Sequence, residues 1–245
     1  MNVIFLGATK GMGRALARLM ARRGDQLYLL GIGDDDLERS AADLGVDGRA
    51  PAGVGVCDLS KPEAFGAALD GALAALGGKV DAVIVTAGLF APQDRLESDL
   101  ELCRAVLDVD FTCTVLFCEE AKRRLLAQGG GVLCVFSSVA GERGRKPVIL
   151  YGAAKAGLTR YLEGLDHKHR ANGLAVVTVK PGFVKTGMTA GLKPPPFAGE
   201  PEDVAARVLG AIDRRRPEVY APAAWGPIMA VIRRLPRFVM RRVGF

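Results

Sequence analysis

The sequence predicts an α/β fold: a doubly wound parallel sheet of about seven strands with helices on both faces. Apolar strand-like runs alternate with amphipathic helical stretches along the chain, and such alternation implies parallel strands covered on both sides. A glycine-rich turn links the first strand to the first helix, the context in which a glycine pattern carries meaning. With 245 residues, 49% hydrophobic and 24% charged, the chain suits one compact domain with a sizeable core.

Asn2 to Leu6 reads as a buried strand, and Arg14 to Arg23 as a helix with Leu16, Leu19 and Met20 at helical spacing. Gln26 to Leu30 is the second strand, Leu37 to Leu44 a short helix and Gly53 to Cys57 the third strand. Ser60 and Pro62 open a helix that runs to Leu76. Val80 to Thr86, Val132 to Phe136 and Leu174 to Val179 continue the strands. A long helix from Leu100 to Gln128 and another from Ala153 to Ala171 separate them. A short run around Val219 and Tyr220 supplies the last strand, and the expected strand order is 3-2-1-4-5-6-7. Between Thr186 and Pro201 the chain carries Gly187, Gly191, Pro194, Pro195, Pro196 and Gly199, a composition suited to a lid over a ligand. Residues 1–221 thus form a single Rossmann-like domain with a lid near 186–201, and residues 222–245 form a tail.

The formal charge of +6 does not describe a broad basic face. Arg233, Arg234, Arg237, Arg241 and Arg242 all follow the last acidic residue, Glu218, so no nucleic-acid partner is expected. Cys57, Cys103, Cys113, Cys118 and Cys134 show no CxxC spacing and read as reduced, buried thiols. With only His167 and His169, both in a charged stretch, no metal site and no Ser/His/Asp triad is expected. The first apolar run is too short for a secretory signal, which makes the cytoplasm the expected location.

Gly7, Gly11 and Gly13 form a GxxxGxG pattern. Without Cβ atoms that backbone can approach a pyrophosphate, while the helix start supplies N–H groups and partial positive charge. Thr9, Lys10 and Met12 belong to the same turn. Asp58 and Leu59 follow the third strand, where Asp58 reads either as an acceptor for an adenine amino group or as a turn cap. The usual discriminators between NAD and NADP are missing, because Gly31, Ile32 and Gly33 end the second strand. Lys10, with Arg14 beyond it, tilts the expectation toward NADP(H) over NAD(H), since one charge-assisted bond to a 2′-phosphate is worth roughly 1.5 to 3 kcal/mol.

Tyr151-Gly152-Ala153-Ala154-Lys155 is a YxxxK motif with Ser138 thirteen residues before the tyrosine. With Gly7 to Gly13, Ala87-Gly88, Ser137-Ser138 and Pro181-Gly182 followed by Thr186, the chain resembles the short-chain dehydrogenase/reductase family over nearly its whole length. The resemblance implies hydride transfer between a nicotinamide cofactor and a carbonyl or alcohol. Tyr151 would be the acid, Ser138 the support of the substrate oxygen, and Lys155 a partner of the nicotinamide ribose. Val184 and Thr186 would join the cofactor contacts. Positions 151 and 155 share a helix face. An ammonium about 4 Å from the phenol, at an effective dielectric of about 20, contributes roughly 4 kcal/mol. That would draw the phenol from about 10 toward 7.

Two residues depart from the family pattern. Asp110 stands where an asparagine usually supports a water relay to the lysine, and a carboxylate there would oppose the lysine's field. Thr86 stands where asparagine usually braces the sheet centre.

Within the family, Ser137 to Arg143, Tyr151 to Leu158 and Tyr220 to Ala224 resemble the decaprenylphosphoryl keto-pentose reductases, which implies a polyprenyl-phosphate-linked keto-sugar as substrate. Ile228, Val231, Ile232 and Leu235 recur at helical spacing among the arginines. The tail therefore suits peripheral contact with an anionic membrane surface, but is too short to span it. A homodimer or homotetramer is the other expected use of the tail. The competing readings are a soluble reductase of small ketones or acyl-thioesters, and a non-catalytic NAD(P)-binding sensor or scaffold.

Overall fold

The computed structural model describes residues 1–195 and 197–244. Pro196, part of the expected lid, and Phe245, the end of the tail, lie outside the described residues. Seven parallel strands form one sheet in the order β3-β2-β1-β4-β5-β6-β7, as the alternation predicts. They are β1 Asn2–Leu6, β2 Gln26–Gly31, β3 Gly53–Val56, β4 Ala82–Val85, β5 Gly131–Phe136, β6 Leu174–Pro181 and β7 Glu218–Ala221. The helices are α1 Gly11–Arg23, α2 Asp34–Asp47, α3 Phe65–Ala75, α4 Gln93–Ser98, α5 Leu100–Leu107, α6 Thr114–Ala127, α7 Ile149–His169, α8 Pro201–Asp213, α9 Trp225–Ile232 and α10 Arg237–Met240.

Side chains alternate across the strands, so β1, β2, β4, β5 and β6 each feed two cores. Val3, Phe5, Leu27 and Leu29 join Leu16 and Met20 of α1, Leu37 of α2 and Val208 of α8 on one face. Ile4, Leu6, Val83 and Val85 join Phe65 of α3, Phe117 of α6 and Leu158 of α7 on the other. Of the cysteines, Cys103 is half-buried and the other four are buried. Burial pushes the Cys57 thiol up to about 11, so it stays protonated.

Several elements differ from the expectation. The long helix foreseen from Leu100 to Gln128 is divided by a π-helical turn at Asp108–Cys113. Such wide turns cluster at functional sites, and this one carries Asp110 inward. Helix α7 starts at Ile149 rather than Ala153, which brings Tyr151 into its first turn. Helix α4 and helix α8 lie where no element is expected. In α8 the stripe of Val204, Ala205, Val208, Leu209 and Ile212 is buried, and Pro201 opens the helix.

The chain beyond β7 returns to the sheet. Trp225, Met229 and Ile232 of α9 pack with Val139 in a separate apolar cluster, against Phe183, Tyr220 and Ile228. A polar tie fastens this region. The Lys180 ammonium on β6, 3% exposed, lies 2.6 Å from Glu142, whose side chain is 2% exposed. Glu142 also accepts from Tyr220 at 3.0 Å and pairs with Arg233 at 3.1 Å, just past α9. Burial alone would raise the Glu142 carboxyl, but Lys180, Tyr220 and Arg233 outweigh it and hold the group below the usual carboxylate range.

Removing one member of a buried pair leaves an uncompensated charge, at a cost of about 3–5 kcal/mol. Because Arg233 and Tyr220 still face Glu142 in Lys180→Met, that variant should lower urea-derived stability by less than that range, and adding Glu142→Leu should restore part of it. Because the folded pKa of Glu142 is depressed, the tie contributes fully above the unfolded value of about 4.3 and is lost as pH falls through the folded value. A native-like stability in Lys180→Met would show that the tie carries no weight.

Candidate active site

In a sheet of parallel strands all carboxyl ends lie along one edge, and there the loops form two adjoining cavities. The outer one, about 490 Å³, is lined by Gly7, Thr9, Lys10, Gly11, Met12, Gly13, Asp58, Leu59, Ala87, Gly88 and Thr186. The inner one, about 560 Å³, is lined by Ser138, Tyr151, Lys155, Asp110, Pro181, Gly182 and Val184, among others. Met12, Thr86, Gly88, Leu89, Thr186 and Met188 line both.

The glycine turn fits a diphosphate for steric and electrostatic reasons. Gly7 and Gly11 have φ of +96° and +53°, the left-handed region that side chains avoid. A Cβ on Gly13 would fall 2.2 Å from the Gly7 carbonyl oxygen. No side chain caps the start of α1 and no acidic residue occupies its first turn, which leaves N–H groups free for an anion. Thr86, in place of the family's asparagine, braces this turn with its hydroxyl, which donates to the Gly7 carbonyl at 2.8 Å.

Asp58 accepts from the backbone N–H and the hydroxyl of Ser60, both at 2.8 Å, so one of its oxygens fulfils the turn role. At the end of β2, Gly31, Ile32 and Gly33 line the outer cavity together with Asp36, which the sequence reading did not single out. Lys10 pairs with Asp36 at 3.3 Å, and Arg14 is engaged by Asp43.

Ser138 follows β5, its hydroxyl accepts the Ala140 N–H at 3.0 Å, and it lines the same cavity as Tyr151. Ser137 next to it donates to the Lys155 carbonyl at 3.0 Å and lies 2.7 Å from the Thr159 hydroxyl, which fastens α7 to β5. Phe90, from the loop after β4, meets the Tyr151 ring edge-on at 5.2 Å and fixes its plane. The Lys155 ammonium lies 5.6 Å from that ring and donates to the Phe136 carbonyl at 3.4 Å. The structure thus brings Ser138, Tyr151 and Lys155 to one wall.

Asp110 is wholly buried and stands 3.6 Å from the Lys155 ammonium. One of its oxygens accepts the Leu89 N–H at 2.8 Å, while the other has no hydrogen-bond partner. Burial raises the Asp110 carboxyl, against the opposing pull of Lys155 and Leu89. The expected lowering of the Tyr151 phenol is corrected here. Burial, followed by the Asp110 charge, holds it above the ordinary tyrosine value, and only Ser138 draws it down. Paired with Asp110, the ammonium presents the phenol with a dipole rather than an isolated charge.

The remaining wall of the inner cavity comes from the segment before α8 and from α9. Met188, Leu192, Pro195 and Phe197 face Trp225, Ile228 and Ile232 across it. The Phe197 ring contacts that of Trp225 edge-on, at 5.1 Å. Trp225 in turn lies flush against Gly182, where a Cβ would fall 1.9 Å from the indole nitrogen. Asp36, Phe90, Arg145 and Trp225 are lining residues that the sequence reading missed. Of these, only Asp36, a few residues past β2, sat where a motif would direct attention.

A family profile described as short chain dehydrogenase matches residues 1–196. The chain is 33% identical to an uncharacterised oxidoreductase of Mycobacterium tuberculosis over 241 residues, covering 98% of this chain and 96% of the relative. It is 32% identical to a cis-4-hydroxycyclohexanecarboxylate dehydrogenase of Sinomonas cyclohexanicum over 226 residues, covering 90% and 86% of the two chains. Among solved structures, an NADPH-bound actinorhodin polyketide ketoreductase variant superposes with a TM-score of 0.80 at 20% identity, over 89% of this chain and 94% of that one. An NAD-bound short-chain dehydrogenase from Mycobacterium paratuberculosis gives 0.77 at 23% identity, over 89% and 94%. At these identities the two structures speak to the fold.

The brace at Thr86 is open to test. Thr86→Val keeps the shape but strands the Gly7 carbonyl, and should cost about 1–3 kcal/mol of stability by chemical denaturation. Thr86→Ser should restore it, and equal stability of all three proteins would count against the brace.

Proposed function

The chain belongs to the short-chain dehydrogenase/reductase family, an oxidoreductase family that uses nicotinamide cofactors, and on that premise we propose that Tyr151, Ser138 and Lys155 carry its chemistry at the inner cavity. The observation that supports this is the meeting of Ser138, Tyr151 and Lys155 on one wall, with the Lys155 ammonium 5.6 Å from the Tyr151 ring, where the two cavities adjoin. A nicotinamide held at the outer cavity would supply or take the hydride at the substrate carbon. Ser138 holds the substrate oxygen, and Tyr151 donates its phenolic proton to that oxygen in the reduction or recovers it in the oxidation. Lys155 faces the phenolate that remains. The fit of the cofactor rests on the glycine cradle and the uncapped start of α1.

We propose a small, largely apolar ketone or secondary alcohol as substrate, because Leu89, Phe90, Phe183, Leu192 and Trp225 line the inner cavity. The cyclic secondary alcohol of the Sinomonas enzyme's name agrees with this reading. A polyprenyl-phosphate keto-sugar is the second reading, supported by the apolar lane of Trp225, Ile228 and Ile232 along α9.

NADP(H) remains the proposed cofactor. The Lys10–Asp36 pair is exposed and weak, so Lys10 is free to turn to a 2′-phosphate. Self-association and peripheral membrane contact are proposals as well. Exposed Phe111 and Leu116 on the π turn and α6 support the first, and exposed Val231 and Phe238 among the arginines of the C-terminal segment support the second. No helix of the described residues is long and apolar enough to cross a membrane.

Tyr151→Phe should lower turnover of a cyclic ketone about 10²–10⁴-fold while leaving NADPH binding unchanged. Full residual activity would remove Tyr151 from its role, and cofactor binding without turnover of any carbonyl by the native protein would point to a sensor. Reduction needs the protonated phenol, whose raised pKa keeps it protonated through neutral pH. Asp110→Asn withdraws the charge that raises it, so the alkaline limb of kcat/KM should move to lower pH. An unmoved limb would rule out that field effect.

Fluorescence titration should find NADPH about tenfold tighter than NADH, the worth of one charge-assisted contact, with the difference lost in Lys10→Ala. Tighter NADH would assign the site to Asp36 and a ribose diol. Sedimentation of the native protein alone, and with anionic or zwitterionic vesicles, reads the assembly and membrane proposals. A monomer that pellets with neither vesicle overturns both.

A further inference from the structure

The inner cavity holds a polar group that the proposed reaction leaves idle. Arg145, on the segment between Ser138 and α7, lines this cavity and not the outer one. Its Nε–H is buried without a hydrogen-bond partner, and among the described residues no carboxylate pairs with its guanidinium. The nearest acid in sequence, Glu142, is already taken by Lys180, Tyr220 and Arg233. Asp110, the acid on the wall of this cavity, is committed to Lys155. The Trp225 indole N–H, also unpartnered among the described residues, is packed against Gly182 and is not offered to the cavity.

A guanidinium can only donate. Arg145 is half-buried, and burial lowers its basicity with no opposing partner. The complement that satisfies such a wall is an acceptor-only group with negative charge, and the planar fork of arginine matches carboxylate and phosphate oxygens. We infer that Arg145 seats an anionic group of the substrate, a carboxylate or phosphate oxygen, with the apolar body of the molecule lying between it and the carbonyl at Tyr151 and Ser138. The inference rests on the oxidoreductase reading for the identity of the ligand as substrate. The seat itself is separable from it.

Calorimetry on NADPH-loaded protein separates the two, using cyclohexanecarboxylate, its neutral amide cyclohexanecarboxamide and cyclohexyl phosphate, none of which has a carbonyl that hydride transfer would reduce to an alcohol here. The better anion should bind at least about tenfold tighter than the amide, and whether carboxylate or phosphate leads identifies the source of the charge. The preference should vanish in Arg145→Met and survive in part in Arg145→Lys, with NADPH binding reporting that each variant is folded. Kinetics with 4-oxocyclohexanecarboxylate and its amide should show the same ratio in kcat/KM, carried by KM.

Equal affinity for anion and amide in the native protein, or a preference that persists in Arg145→Met, overturns the anion seat. Binding of the anion through Arg145 without turnover of either ketone would instead retain the seat and remove the hydride-transfer reading. Equal turnover of both ketones would do the reverse.

Discussion

A parallel sheet sealed by helices on both faces has only its two ends left open, and that constraint arranges everything described above. Strands β1, β4, β5 and β6 run side by side, so the turn after β1, the segment after β4, Ser138 after β5 and Pro181 at the end of β6 arrive at one edge. Burial of alternate side chains in two cores sets the strand register. The loops then have no freedom to choose which residues meet. The chemistry is a consequence of the topology, given the right residues at four strand ends.

Within that frame the site carries an electrostatic tension. Asp110 is drawn in by a widened helical turn and set against Lys155 with one oxygen unpaired, an arrangement that does not stabilise a protein by itself. Its effect is on the phenol. An isolated ammonium would favour the phenolate, whereas the pair leaves burial in command and keeps the proton on Tyr151. Such a balance suits proton donation more than proton removal.

Much of this was legible in the residues. The apolar runs marked all seven strands, because buried parallel strands are written as short apolar blocks bounded by turns, and the doubly wound pattern supplied their order. Tyr151, Lys155 and Ser138 were legible because their spacing is set by one helix and one strand end. Helix α8 was not, although its apolar stripe is plain, since the proline-rich approach reads as loop up to Pro201. The π turn has no sequence signature, so the inward placement of Asp110 had to be seen. Arg145 and Trp225 are visible only in three dimensions, for nothing in linear spacing says that an arginine lacks an acid or that a segment after the last strand folds back to wall a cavity.

The contact between Gly182 and Trp225 shapes how this protein could diversify. With the indole occupying the space of any side chain at position 182, the two residues form a lock that neither can leave alone. Ile228 and Ile232, one and two turns further along α9, face the same cavity without that restriction. New ligand preferences would therefore arise by exchange at those two isoleucines, around a tryptophan that stays put as the pivot of the repertoire.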